Sequence, residues 1–448
     1  MEDITMSISE NKSYGKASLG IELGSTRIKA VVIDENRKVI ANGSHNWESR
    51  LIDGYWTYSL EEVQSGLRDA VAGLSTQGCR LSAIGVSAMM HGYLVFDKDD
   101  HLLVPFRTWK NTTTGEAAEK LTELFHFNIP ERWSVAHLYQ AILNREEHVK
   151  DIAFITTLAG YVHWKLTGKK VIGVGDASGM FPVKDMNWNP EFVEKFKRLT
   201  GINWPDIAPE ILPAGQNAGE LTAAGREYLF GEASNLCPSS SVLCPPPEGD
   251  AGTGMVSCNA IAPRTGNVSA GTSIFAMIVL EKPLKSLHRE IDIVTTPDGR
   301  DVAMVHYNEC TSKIDPWINL FGEAFDLFGV TVDRSDLFRK LYEAALGSGT
   351  KLSEFMRGVI TSAVSDLADG MRILTVEEQV KVDKLAGHGG FFKSGSAGKQ
   401  IMSEMLGIPI ELSETAAEGG AWGIALLADY LNYADEKVLS EYLETVLQ

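Results

Sequence analysis

A chain of 448 residues is too long for one ordinary hydrophobic core, so two or three domains are expected, and 44% hydrophobic with 22% charged residues is the balance of a soluble globular protein. A formal net charge of -18 argues against a nucleic-acid partner, whose phosphates need a basic surface, but not against a nucleotide, which needs only backbone amides and a metal ion. No apolar run reaches the roughly 18 residues of a membrane span, and the start Met1-Glu2-Asp3-Ile4 lacks a signal-peptide pattern, so a cytoplasmic protein without a membrane partner is expected.

Cys79, Cys237, Cys244, Cys258 and Cys310 are widely spaced, with no CxxC pair, which points to reduced structural thiols rather than a zinc site. Residues 1–16 are polar and unpatterned and read as a loose arm. Leu19 to Leu23 then reads as a short buried strand, Gly24-Ser25-Thr26-Arg27 as a tight turn, and Ile28 to Asp34 as a second strand, with Val39 to Ser44 returning as a third. In such a meander the Gly-Ser-Thr turn can aim successive N–H groups and two hydroxyls at an anion. Taken alone it is equally a plain hairpin turn.

Leu60 to Ser75 carries helical spacing behind a candidate cap at Ser59, and Leu81 to Ser87 is a buried strand that ends in Ala88-Met89-Met90-His91-Gly92. A histidine at a strand end beside a glycine is well placed to face a pocket beyond the sheet. The polar-aromatic stretch Phe106 to Thr112 offers Trp109 as a flat apolar surface and Asn111 among its hydrogen-bonding neighbours, which suits a sugar. Thr157 to Gly168 reads as a helix closed by glycine, and Gly173 to Gly179 as a small-residue loop.

Pro245-Pro246-Pro247 stops whatever precedes it and delivers an extended chain to Glu248-Gly249-Asp250-Ala251-Gly252-Thr253-Gly254. There one acid, Asp250, stands among glycines that let other groups come close. The plain alternative makes Asp250 the cap of an ordinary helix. Beyond it, Thr265 to Ala270, the turn Gly271-Thr272-Ser273 and the apolar strand Ile274 to Leu280 repeat the opening arrangement about 250 residues later. Two such hairpins suggest two related domains facing each other across a cleft, each with a phosphate-binding turn. Near the C-terminus, Gly387-His388-Gly389-Gly390 joins a strand to a helix from Ser396 to Leu406, where successive glycines allow a flat ring such as adenosine to lie on the backbone, and Glu418 to Gly423 opens a further helix.

These stretches, in this order from about Leu19 to Leu427, resemble the FGGY family of carbohydrate kinases, most nearly its xylulokinase and ribulokinase branch. Gly20 to Thr26 resembles the family's first phosphate hairpin, Met90-His91-Gly92 its sugar contact, Leu166-Thr167-Gly168 and Asp176 to Gly179 its following segments, Gly249-Asp250 its catalytic base, Gly271 to Ser273 its second phosphate hairpin and Gly387 to Gly390 its adenosine loop. The resemblance implies an α/β fold of two actin-like (ribonuclease H-like) ATPase domains facing each other across a central cleft, with residues 17–262 binding sugar and 263–448 binding nucleotide. It implies ATP and Mg2+, the ion held by Glu22 directly or through water, and ATP held by Gly24, Ser25, Thr26, Arg27, Gly271, Thr272, Ser273 and Gly387 to Gly390. Met90, His91, Gly92, Trp109, Asn111 and Asp250 would bind a small ketose, a ketopentose above all, with Asp250 as catalytic base.

The chain departs from the family's pattern twice. Glu22 stands where the family has aspartate, and reaches one methylene farther. Residues 344–350 run almost directly into Leu352, where relatives carry a substantial intervening stretch. Both departures keep open a sugar-binding regulatory protein derived from a degenerate kinase. Met90-His91-Gly92 and Trp109 speak against a third reading, a protein-handling ATPase. A homodimer stays open, and Trp133, Trp164 and Trp188 fit a core as well as an interface.

Overall fold

The computed structural model describes residues 15–76, 78–231, 238–394, 396–412 and 419–446. Cys237, Glu418 and nearly all of the N-terminal arm lie outside them. Lys16, which the sequence reading gave to the arm, already belongs to the first strand.

The chain opens with β1 (Lys16–Leu23), β2 (Arg27–Ile33) and β3 (Val39–Asn46), an antiparallel meander. Leu19, Ile21, Leu23, Ile28, Val32 and Ile33 are fully buried, because both faces of the sheet are covered. Helix α1 (Leu60–Ala72) starts at Ser59, whose side chain and that of Glu62 satisfy each other's backbone N–H groups in a capping box. Strand β4 (Arg80–Ala88) then pairs parallel with β1. Helices α2 (Gly115–Phe125), α3 (Ser134–Leu143) and α4 (Leu158–Thr167) follow, the last closed by Gly168 at φ 74.

The expected small-residue loop at 173–179 contains a short helix instead, α5 (Val174–Ala177). Its first turn is held from outside: the buried Glu248 carboxylate accepts the N–H groups of Gly175 (3.3 Å) and Asp176 (2.9 Å). A contact across more than 70 residues decides this local structure.

The first sheet is completed by β5 (Gly219–Glu220), β6 (Pro238–Cys244) and β7 (Glu248–Gly249), in the order β5-β6-β4-β1-β2-β3 with β7 also on β4. Helix α6 (Asp250–Ser257) leads to the second sheet, built from β8 (Thr265–Ala270), β9 (Ile274–Val279), β10 (Ile291–Thr295) and β11 (Asp301–Tyr307). After helices α7 (Thr311–Leu327), α8 (Arg334–Leu346) and α9 (Lys351–Arg372) the chain adds β12 (Lys384–His388), α10 (Ser396–Leu406) and β13 (Ile410–Leu412). The sheet order is β10-β11-β9-β8-β12-β13. With β5 and β10 set aside the sheets share one order, β6-β4-β1-β2-β3 and β13-β12-β8-β9-β11, in which three antiparallel neighbours are extended by parallel pairing on the first of them, which is the repeat that the two hairpins suggested. The link from α8 to α9 is a tight helical hairpin in which the Thr350 hydroxyl accepts the Ser353 N–H at 3.1 Å.

The sequence reading gave everything after residue 262 to the second half, but helix α11 (Gly419–Tyr430) packs on β1 and β4 of the first sheet and against α6. Glycines set how close it comes. A Cβ on Gly20 would lie 2.0 Å from the Ala421 carbonyl oxygen, and one on Gly423 would lie 2.1 Å from that of Thr253. One apolar cluster lies behind each sheet, and a third, including Met255, Val256, Met277, Val279, Trp422 and Ile424, fills the space where the halves meet. Trp133 and Trp188 are core residues of that third cluster. No described helix is long and apolar enough to cross a membrane.

Candidate active site

The stiff segment Pro245-Pro246-Pro247 delivers Glu248 and Gly249 to β4, where they pair with Ser87 and Ala88. Gly249, not Asp250, takes the N-cap position, so the plain alternative of Asp250 as cap is corrected. Side-chain space explains the exchange: a Cβ on Gly249 would lie 2.2 Å from Met90 Cγ. Asp250 is thereby free in the first turn of α6, where it lines a cavity of about 390 Å3 between the two sheets and accepts the Met90 N–H at 3.2 Å. Burial, then the negative charge of Glu22, push its pKa up to about 7, against the pull of nearby backbone N–H groups.

Glu22 ends β1 and faces the same cavity. Its carboxylate is raised by burial and lowered by the Lys29 ammonium and by the N–H groups of Ala421 and Gly420. It therefore rests on the N-terminus of α11, where the helix dipole favours an anion. Lys29 was not singled out in the sequence, and the start of α11 was read as a helix opening without a link to Glu22, because nothing local connects them to residue 22.

The wall around Met90, His91 and Trp109 is built on a strand end that turns through two left-handed residues, His91 (φ 68) and Gly92 (φ 94). The His91 ring is fully committed. Nδ1 donates to the Gly179 carbonyl at 2.9 Å, which leaves Nε2 as the acceptor for Arg132 Nε at 3.1 Å. Burial and the Arg132 charge hold the ring neutral. Trp109 Nε1 donates to Ser25 Oγ at 3.1 Å, tying this wall to the first hairpin.

Asn111 does not reach the cavity. Its amide is spent on the Trp56 N–H (2.8 Å) and on the carbonyls of Trp56 (3.0 Å) and Thr108 (2.9 Å), so the sequence reading of Asn111 as a sugar contact is replaced by a role in holding this loop. Gly92 shapes the turn from behind: a Cβ there would lie 2.7 Å from the Phe106 ring.

Of the two hairpins, Ser25 and Ser273 face the cavity. Gly24 and Gly271 close the turns, with N–H groups donating to the carbonyls of Arg27 (3.0 Å) and Ser273 (2.9 Å). Thr26, Arg27 and Thr272 are exposed, and Arg27 reaches outward to Asn46 at 3.0 Å. Space beside Gly271 and Gly390 is open, so neither would resist a ligand. His388 and Gly389 line the cavity, while Gly387 packs against Ile410, Phe392 and Leu412. His388 Nε2 and Asn267 Nδ2 are 2.9 Å apart. Arg132, Phe275, Met304 and His306 complete the wall and were missed, since they come from separate elements that only the fold brings together.

The arrangement gives an acid with a pKa near neutrality, a serine-bearing hairpin on each side, and a polar-aromatic wall. Hard oxygen donors from Glu22 and Asp250 suit magnesium, and two half-buried carboxylates that face one cavity and repel each other would gain from a cation there.

The N-terminal domain model of the FGGY family of carbohydrate kinases matches residues 17–232 and the C-terminal domain model of the same family matches residues 337–431. A xylulose kinase of Staphylococcus xylosus is 25% identical over 232 residues, 49% of this chain and 47% of that enzyme, so the chain spans about half the length of this relative. Two solved structures from Lactobacillus acidophilus, a ligand-bound xylulose kinase and a gluconate kinase, each superpose with a TM-score of 0.79 at 17% identity over 97% of this chain and 92% of the other. At that identity the likeness carries the fold alone, and it extends over kinases named for different acceptors. With both domain models matched, in order and over more than half of its length, the chain belongs to the FGGY family of carbohydrate kinases.

Proposed function

We propose that this protein is an ATP-dependent carbohydrate kinase that phosphorylates a terminal hydroxyl of a small ketose, a ketopentose such as xylulose or ribulose. The observation that carries the reading is the position of Asp250 in one cavity shared by Ser25, Ser273, His91 and Trp109. The acceptor lies against Met90, His91 and Trp109 with its terminal hydroxyl at the Asp250 carboxylate, and the ATP phosphates lie between the two hairpin serines. Asp250 takes the hydroxyl proton as that oxygen bonds to the γ-phosphorus and the bond to the ADP oxygen breaks. A carboxylate with a pKa near 7 is matched to this task, whereas an ordinary one would be a weaker base. Glu22 and Asp250 would hold magnesium, which when bound would supply charge neutralisation for the transferring group. Positioning and a water-poor cleft provide the rest.

A second reading, a sugar-binding regulatory protein, is favoured by the commitment of Glu22 to the α11 N-terminus and to Lys29. ADP release with magnesium-ATP across a panel of ketopentoses, hexuloses, aldonates and polyols separates the two. A strongly preferred ketose, silent in Asp250→Asn, supports the kinase. Sugar binding by calorimetry without sugar-dependent ADP release supports the regulatory protein.

A further inference from the structure

The His91 ring has no hydrogen-bonding atom left for a ligand, since Gly179 and Arg132 occupy both nitrogens. A Cβ on Gly179 would lie 2.6 Å from His91 Nδ1, so the ring is also wedged in place. What His91 does hold is the guanidinium of Arg132, which lines the cavity. The guanidinium is fixed from the other side by Asp292 of β10, whose Oδ2 accepts from Nη2. The second carboxylate oxygen of Asp292 accepts from Asn128 Nδ2 at 2.8 Å. Arg132 Nε and Nη2 are thus both engaged, and Nη1 makes no hydrogen bond to any described residue.

A guanidinium nitrogen offers only donors. Beside it, the single lone pair of the neutral His91 ring is taken by Arg132, while the Asp292 oxygens accept from Arg132 and Asn128. A cationic donor of this kind favours a carbonyl or carboxylate oxygen, which carries more negative charge than a hydroxyl oxygen and has no proton of its own that needs a partner.

We propose that Arg132 is the residue that selects the acceptor, recognising a carbonyl or carboxylate oxygen at the end away from the phosphorylated hydroxyl, with His91 and Asp292 as the positioning residues that hold it. This rests on the kinase reading for its turnover test, but not for its binding test. The shared chemistry belongs to ketoses and to aldonates, and it disfavours the corresponding polyols. Because Asp292 comes from the second sheet and His91 from the first, the selecting residue is held only when the two halves of the protein are docked as they are here.

The test compares xylulose, xylonate and xylitol, which share a terminal hydroxyl and differ at the other end, in ADP release and in calorimetric binding without nucleotide. Wild type should prefer xylulose or xylonate over xylitol by about tenfold to a hundredfold, the range for a hydrogen bond to a charged group. The better of the two names the oxygen that is read. Arg132→Met should reduce that preference to about threefold or less, mainly through KM, and Asp292→Asn should fall between. Circular dichroism checks that each variant is folded, and wild-type binding stands as the measurement if one is not. Equal use or equal binding of xylitol by wild type, or an unchanged preference in a folded Arg132→Met, overturns the proposal. If no acceptor supports ADP release but wild type still binds xylulose or xylonate over xylitol, the kinase reading fails and the role of Arg132 stands.

Discussion

Replacing Asp250 by asparagine should remove turnover and stabilise the fold at the same time, because both effects come from one half-buried carboxylate. Folding raises its pKa from 3.8 to about 7. A carboxyl that holds its proton more tightly in the folded chain loses stability when it ionises. The loss begins as pH rises past the unfolded value near 4 and is complete above about 7. About three pKa units at roughly 1.4 kcal/mol each give a ceiling of ~4 kcal/mol. Local rearrangement around the charge brings the expected difference to about 2 kcal/mol, and at ~2–4 °C per kcal/mol the variant should melt about 4–8 °C above wild type at pH 8.5. The amide keeps an oxygen to accept the Met90 N–H, so the helix start is preserved. Melting curves of both proteins from pH 5 to 8.5 give the assay. The difference should widen with pH and level off above 7. A variant less stable than wild type throughout, or a difference flat across the range, would refute the account of Asp250 as a strained, functional acid.

If Asp250 is the base, kcat/KM should fall with a slope of one below about pH 7, as protonation removes it; an acid limb confined below pH 5 would count against the assignment. Because the Glu22 charge raises Asp250, Glu22→Gln should move that limb to lower pH while raising the magnesium concentration needed for half-maximal rate. A limb that stays in place would show the two acids to be uncoupled. Gly423→Ala should destabilise by ~3 kcal/mol, near the upper end for overpacking, since its Cβ would meet the Thr253 carbonyl oxygen at 2.1 Å and neither helix backbone can yield alone. Its melting temperature and activity should fall together, because α6 carries Asp250; a variant that melts like wild type would contradict this contact.

Short-range signals carried much of the architecture. Apolar runs broken by Gly24-Ser25-Thr26 and Gly271-Thr272-Ser273 marked both meanders, Ser59 marked the start of α1, and Gly168 marked the end of α4. These features are legible because each is decided within a few residues, by a turn that needs a small residue or a cap that reaches the next turn of helix. Asp250 was legible for a related reason: an acid flanked by residues without side chains stands out, whatever surrounds it.

The surroundings were decided elsewhere. Asn111 looked like a sugar contact by composition, and the fold spends its amide on the backbone of neighbouring Thr108 and of Trp56, 55 residues away. The sequence shows that His91 follows a strand, but not that Gly179 and Arg132 consume its ring, and nothing near Arg132 announces an Asp292 partner 160 residues on. The residue types and local turns by themselves determined that this chain has two hairpin-led halves and an acid between them. Only the tertiary structure decided which oxygens and nitrogens remain free to meet a ligand, because hydrogen bonds and buried charges are satisfied by whatever lies nearest in space, and proximity in space is settled by the packing of all the elements at once.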